Sequence, residues 1–149
     1  MRDNEMLLGT FKSVALTENG LILPVDLRPG LEQGYVITRG VDGCVTVFPL
    51  AVWEGLVERV EGRLSLLTSA ARLFQRLLYG GASRGMPEAS GLLPIPEHLR
   101  RHADLDGEVV LVGAGGRLEI WSPQRWSYEE FSMGERSSAS LEKLSELGI

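Results

Sequence analysis

The 149-residue chain states one order of elements twice. Leu23-Pro24 is followed three residues on by Leu27-Arg28, and Ile95-Pro96 by Leu99-Arg100, each pair displaced by 72 positions. Next comes an apolar run, Tyr35-Val36-Ile37-Thr38 in the first half and Glu108-Val109-Val110-Leu111-Val112 in the second. A glycine-marked turn follows, Gly40-Val41-Asp42-Gly43 or Gly113-Ala114-Gly115-Gly116, and then a second run, Cys44 to Phe48 or Arg117 to Trp121. Pro49 with Trp53 closes one copy, and Pro123 with Trp126 the other. A supersecondary unit this small cannot bury its apolar face alone. The two copies must therefore pack together, and a pseudo-two-fold axis between them is the expected arrangement.

The paired runs are rich in Val, Ile and aromatics and are joined by Asp-Gly or Gly-rich turns, which predicts β-hairpins. Arg117-Leu118-Glu119-Ile120-Trp121 alternates polar and apolar residues, as a half-buried strand does. Pro24 and Pro96 stand where a first helical turn tolerates a missing N–H, so a short helix is expected after each. Beyond Pro49, residues Trp53, Leu56, Val57, Val60 and Leu64 form one helical stripe. Thr68 or Ser69 caps a second helix through Leu73, Phe74, Leu77 and Leu78, which Gly80-Gly81 ends. Ser140 to Gly148 reads as a terminal helix of its own, with Leu141, Leu144 and Leu147 facing one way.

Hydrophobic residues at 44% and charged residues at 23% describe a folded globular chain rather than a disordered one. The single cysteine, Cys44, has no internal disulfide partner, which fits a reducing compartment; in an apolar strand its expected role is packing. No run of about 18 apolar residues is present, and Met1 to Glu5 lack the apolar core of a signal peptide. Neither membrane spanning nor secretion is expected, and a cytoplasmic location is. The net charge of −5 disfavours sequence-blind attraction to phosphates. Of three stretches of the chain, only residues 51–84 are net positive, with five basic and three acidic side chains.

Motifs with chemical meaning fail their contextual tests. Gly81-Ala82-Ser83-Arg84-Gly85 has the spacing of a nucleophile elbow, but it follows a predicted helix and precedes a predicted strand, so it reads as a loop. Val112-Gly113-Ala114-Gly115-Gly116 has Leu118 where a dinucleotide loop needs glycine, and a strand where that loop needs a helix. His98 and His102, four apart on a short helix, share a face but lack further ligands. An exposed pair on a polar helix is expected, with no metal. Arg72 and Arg76, beside Gln75 on the middle helix, pair with a partner carboxylate, line a subunit contact, or are simply solvated. No cofactor is implied and no enzyme constellation is assembled.

Several segments resemble the MraZ family: Met6-Leu7-Leu8-Gly9-Thr10, Thr38 to Cys44, Ala71 to Ala82 with its Arg72-Leu73-Phe74-Gln75-Arg76 core, and Val109 to Gly115. Trp53, Trp126 and the Leu-Gly-Ile ending fit as well, so the resemblance runs from about Met6 to Ile149. It implies an α+β fold of two tandem swapped-hairpin (SpoVT/AbrB-type) modules related by pseudo-two-fold symmetry, with added helices. The expected units are a first module at 6–62, a connecting helix at 63–80, a second module at 81–131 and a C-terminal tail helix at 132–149. It also implies a bacterial, nucleoid-associated regulator of the cell-division and cell-wall gene cluster. Such a regulator forms ring-shaped homo-oligomers and binds repeated promoter boxes through N-terminal hairpins. An intact family member is a further candidate partner.

The family's Asp-x-x-x-Arg motif is where this chain departs. Counted back from the short-helix proline, its slots fall at Leu16 and Gly20, or at Thr17 and Leu21 if the turn has slipped by one; in the second half they fall at Glu88 and Leu92. Both arginines are absent, and Glu18 stands where a lysine is usual. An arginine on guanine O6 and N7 is worth about 1–3 kcal/mol of base discrimination. Its loss implies much weaker DNA recognition, or a scaffold that binds proteins instead. Lys12, Asn19 and Arg28 remain as candidate DNA contacts.

Overall fold

A computed structural model describes residues 6–63 and 66–148. In chain order the elements are β1 (Leu7–Ala15), β2 (Leu21–Ile22), two 3-10 turns (Val25–Leu27 and Pro29–Leu31), β3 (Tyr35–Arg39) and β4 (Val45–Pro49). Then come α1 (Leu50–Arg63), α2 (Ser69–Gly80), β5 (Ser83–Gly85), β6 (Leu92–Leu93), α3 (Glu97–Ala103), β7 (Glu108–Gly115), β8 (Leu118–Trp121) and α4 (Pro123–Glu146).

The main sheet is antiparallel and six-stranded, in the order β1-β7-β8-β4-β3-β5, and β2 and β6 form a separate pair. Exchange each strand for its repeat partner and that order reads the same backwards. The first strand of each half pairs with the hairpin of the other: β1 with β7, and β5 with β3. The hairpins meet through β4 and β8 with Thr46 opposite Glu119, residues that the repeat makes equivalent. The pseudo-two-fold axis passes between them. This is the tandem swapped-hairpin arrangement that the family resemblance implies, with the pseudo-two-fold that the repeat calls for.

The core explains why neither half closes alone. Leu21, Leu23, Leu27 and Leu31 from one half lie in the same buried cluster as Leu93, Ile95, Leu99 and Leu105 from the other. Outside it, the aromatic pairing is repeated as well. Phe48 packs on Trp53 at 5.8 Å between ring centres, and Trp121 on Trp126 at 5.6 Å. Trp53 and Val60 bury the α1 stripe with Leu56 and Val57 partly covered; Leu64 lies outside the described residues, as does Met1–Glu5. No helix among the described residues is long and apolar enough to cross a membrane.

Several local expectations are corrected. Ser83–Gly85 is not a loop but strand β5, laid against β3 with Gly85 so close to the Tyr35 ring that a Cβ would collide with it. The turn of the second hairpin is narrower than Gly113 to Gly116: β7 continues to Gly115 because β1 pairs alongside it, the Ala114 N–H donates to the Arg117 carbonyl at 2.9 Å across Gly115-Gly116, and a side chain at Gly113 would strike the Leu7 and Leu8 backbone. After Pro24 the chain makes two 3-10 turns instead of the expected helix. Pro29 has no N–H to donate back to Val25, so an α-helix cannot propagate there. The second half has no proline at that point, and α3 forms.

The tail is no separate helix either. α4 runs unbroken from Pro123, capped by Ser122, whose Oγ accepts from the Arg125 N–H at 3.2 Å. Among its residues Trp126 alone is buried, so the helix shows little apolar periodicity to read. On α2, Leu73 is exposed while Ala71 and Leu78 are buried.

Candidate nucleic-acid interface

Two exposed turns stand side by side where β2 meets β6. In the first, Thr17 and Gly20 exchange backbone hydrogen bonds (2.9 and 3.1 Å), and the Thr17 hydroxyl both donates to the Gly20 carbonyl and accepts from the Asn19 N–H. In the second, the Gly91 N–H donates to the Glu88 carbonyl at 2.9 Å. Each turn closes on a glycine of positive φ, +130° at Gly20 and +83° at Gly91, a conformation in which side chains are strained. β2 pairs with β6 through Leu21 opposite Leu93 and Ile22 opposite Leu92, and the Leu23 N–H donates to the Gly91 carbonyl. The tips are thereby tied together across the pseudo-two-fold.

The motif slots separate on this frame. The closing glycines are 71 residues apart while the following prolines are 72 apart, so the first half is one residue shorter between turn and helix. Counting back from Pro24 puts a slot at Gly20, where an added Cβ would run into the Leu93 carbonyl, and another at Leu16, which is buried. The slipped count puts Thr17 in the exposed turn, opposite its counterpart Glu88, but Leu21 in the core. Leu92, half-buried on β6, has no counterpart in the shortened half. Of these positions, Thr17, Glu88 and Leu92 have access to solvent.

The candidate contacts are placed apart. Asn19 is exposed at the first tip. Lys12 sits on a bulge of β1 and reaches Glu130 of α4 at 3.5 Å, with both partners exposed, a pairing of little energetic consequence. Arg28 is half-buried: its Nε donates to the Leu23 carbonyl at 3.0 Å and its guanidinium lies against Gly91. Arg100, which motif reasoning passed over, is its repeat twin. Its Nε donates to the Ile95 carbonyl at 3.0 Å and its Nη2 to the Glu18 carbonyl at 3.1 Å. The signal for it was the repeated Leu-Arg pair.

Glu18 and Glu88 put one carboxylate on each tip, with Arg84 nearby. Together with Asn19, these four side chains line a cleft of about 380 Å³. At its base, burial and then the Glu88 carboxylate push the Tyr35 phenol above its ordinary value. The face is mixed in charge rather than basic.

The two histidines serve the scaffold. His98 and His102 are not an exposed pair: each is half-buried, with Nε2 on the Gly81 carbonyl (3.0 Å) and on the Gly40 carbonyl (3.1 Å). Among the described residues no three acidic, His or Cys side chains gather as a metal site would need. Burial, then Glu119, pushes the Cys44 thiol up to about 12, far from a nucleophilic thiolate. Arg72 donates to the Leu66 carbonyl at 2.6 Å, Gln75 is half-buried, and Arg76 is exposed.

Two hairpin modules that exchange their first strands across a pseudo-two-fold, with twin turns tied at one end, define a tandem swapped-hairpin protein. A family model described as "MraZ protein, putative antitoxin-like" matches the chain twice, at residues 6–77 and 78–145. Among curated relatives, the transcriptional regulator MraZ of Heliobacterium modesticaldum is 36% identical over 141 residues, covering 95% of each chain. That of Clostridium acetobutylicum is 34% identical over 97% of this chain and its own full length. That of Deinococcus radiodurans is 42% identical over 71% of this chain and 74% of its own. The chain belongs to the MraZ family.

Proposed function

We propose that this protein is a MraZ-type transcriptional regulator that assembles into a ring and offers its twin turns to repeated promoter boxes at the cell-division and cell-wall gene cluster. The observation that carries the reading is the pair of exposed turns fixed to each other across the pseudo-two-fold. A ring repeats such a pair in every subunit, so weak contacts at each tip add up along a repeated duplex. Affinity then rests on repetition more than on any single side chain, because both motif arginines are absent and each tip carries a carboxylate. Fluorescence anisotropy at low salt tests it. Tighter binding to a tandem-repeat duplex than to a scrambled one is expected, and no binding to either would refute the reading.

The acidic tips favour a second reading, a scaffold that has given up DNA and binds proteins or co-assembles with an intact family member. Under that reading, mixing the two proteins yields a mixed assembly by native mass spectrometry. Separate assemblies, with DNA bound by this protein alone, would exclude it.

A further inference from the structure

The two arginines beside the turns are engaged in a way that a DNA contact does not need. Each first bends back on its own half: Arg28 Nε to the Leu23 carbonyl and Arg100 Nε to the Ile95 carbonyl, both at 3.0 Å and both five residues back. Each then reaches the turn of the other half. The Arg28 guanidinium occupies the space where a Cβ at Gly91 would stand, and Arg100 Nη2 donates to the Glu18 carbonyl 82 residues away. The guanidinium is suited to this because its donors form a rigid planar fork: at Arg100 it serves two acceptors at once, and at Arg28 it serves one while lying against Gly91. A carbonyl held by a charged donor is also held more firmly than by a neutral one.

We infer that Arg28 and Arg100 are reciprocal braces: each positions the turn of the opposite half and so fixes the relative orientation of the two tips. They are positioning residues rather than contacts with the nucleic acid. The inference rests on the DNA-binding reading for its consequence, since fixed tips keep a register with successive boxes, but the brace itself is independent of it. In the free protein, one contact spanning 63 residues and one hydrogen bond spanning 82 tie each turn to the opposite half. Removing one brace loosens the far turn, not the near one.

The test uses the full chain and the variants Arg28→Ala, Arg100→Ala and Arg100→Lys. Hydrogen exchange read by mass spectrometry is expected to speed up at least tenfold around Thr17–Gly20 in Arg100→Ala and around Glu88–Leu92 in Arg28→Ala, with β7 and β8 unchanged. Faster exchange confined to each arginine's own half, or no change, overturns the brace. Arg100→Lys is expected to behave like Arg100→Ala, because one ammonium on a flexible stem does not reproduce the fork; full protection with lysine overturns it too. On tandem-repeat DNA, Arg28→Ala is expected to lose affinity with the salt slope unchanged. A slope flatter by about 0.9 per arginine marks a direct phosphate contact and overturns the positioning role. If wild type binds no DNA, the regulator reading fails while the exchange data still decide the brace.

Discussion

At the scale of single residues, two glycines at the turns leave no room for a side chain, and one cysteine is buried. Gly91 combines a φ of +83° with the Arg28 guanidinium on the side where a Cβ would project. Gly91→Ala is expected to destabilise the fold by about 1–3 kcal/mol, seen as a lower urea midpoint at constant m. Gly20 is as constrained, which is why an arginine slot counted onto it from the proline has no side-chain position. Sequence alone offered two counts there, and only the backbone shows that the first half lacks a residue. Cys44, with its native pKa near 12 against an ordinary 9.0, holds its proton over a range where the unfolded chain releases it. Its contribution to stability is complete below pH 9 and declines as the pH rises toward 12. At pH 8 the thiol is expected to react slowly with a disulfide reagent in the native protein and rapidly in urea. Equal rates in the two states would show an accessible thiolate.

At the scale of elements, the sequence was most legible where apolar periodicity is strong. The β3–β4 hairpin was readable as two runs rich in Val and Ile around an Asp-Gly turn, buried on both faces, and α1 because its stripe buries Trp53 and Val60. β5 was unreadable: three residues, Ser83 to Gly85, carry no pattern and become a strand only because β3 offers them an edge. α4 is illegible in the sequence for the opposite reason. It is long but nearly all exposed, held at its start by Ser122 and Trp126. Ser122→Ala is therefore expected to cost about 1 kcal/mol, measured by urea denaturation, with the loss of helical signal confined to this one helix. A change below about 0.3 kcal/mol would mean that the cap does not hold α4 in place.

At the scale of the whole molecule, the repeat was the most informative signal, because two units that cannot close separately must pack together; the exchange of β1 and β5 was implied by the family resemblance. What it could not convey was the tips' chemistry: Arg28 looked like a free cation and proves to be engaged on two sides. Since the core mixes leucines of both halves, residues 1–80 expressed alone are expected to show no cooperative thermal transition; a sharp one would separate the modules. The central claim is that the paired turns face the nucleic acid. It is tested most directly by a salt titration of binding to tandem-repeat DNA, comparing wild type with Glu18→Lys combined with Glu88→Lys. The account predicts tighter binding by at least tenfold and a steeper dependence on salt, by about 0.9 for each new phosphate contact. Affinities and slopes identical in the two proteins would contradict it.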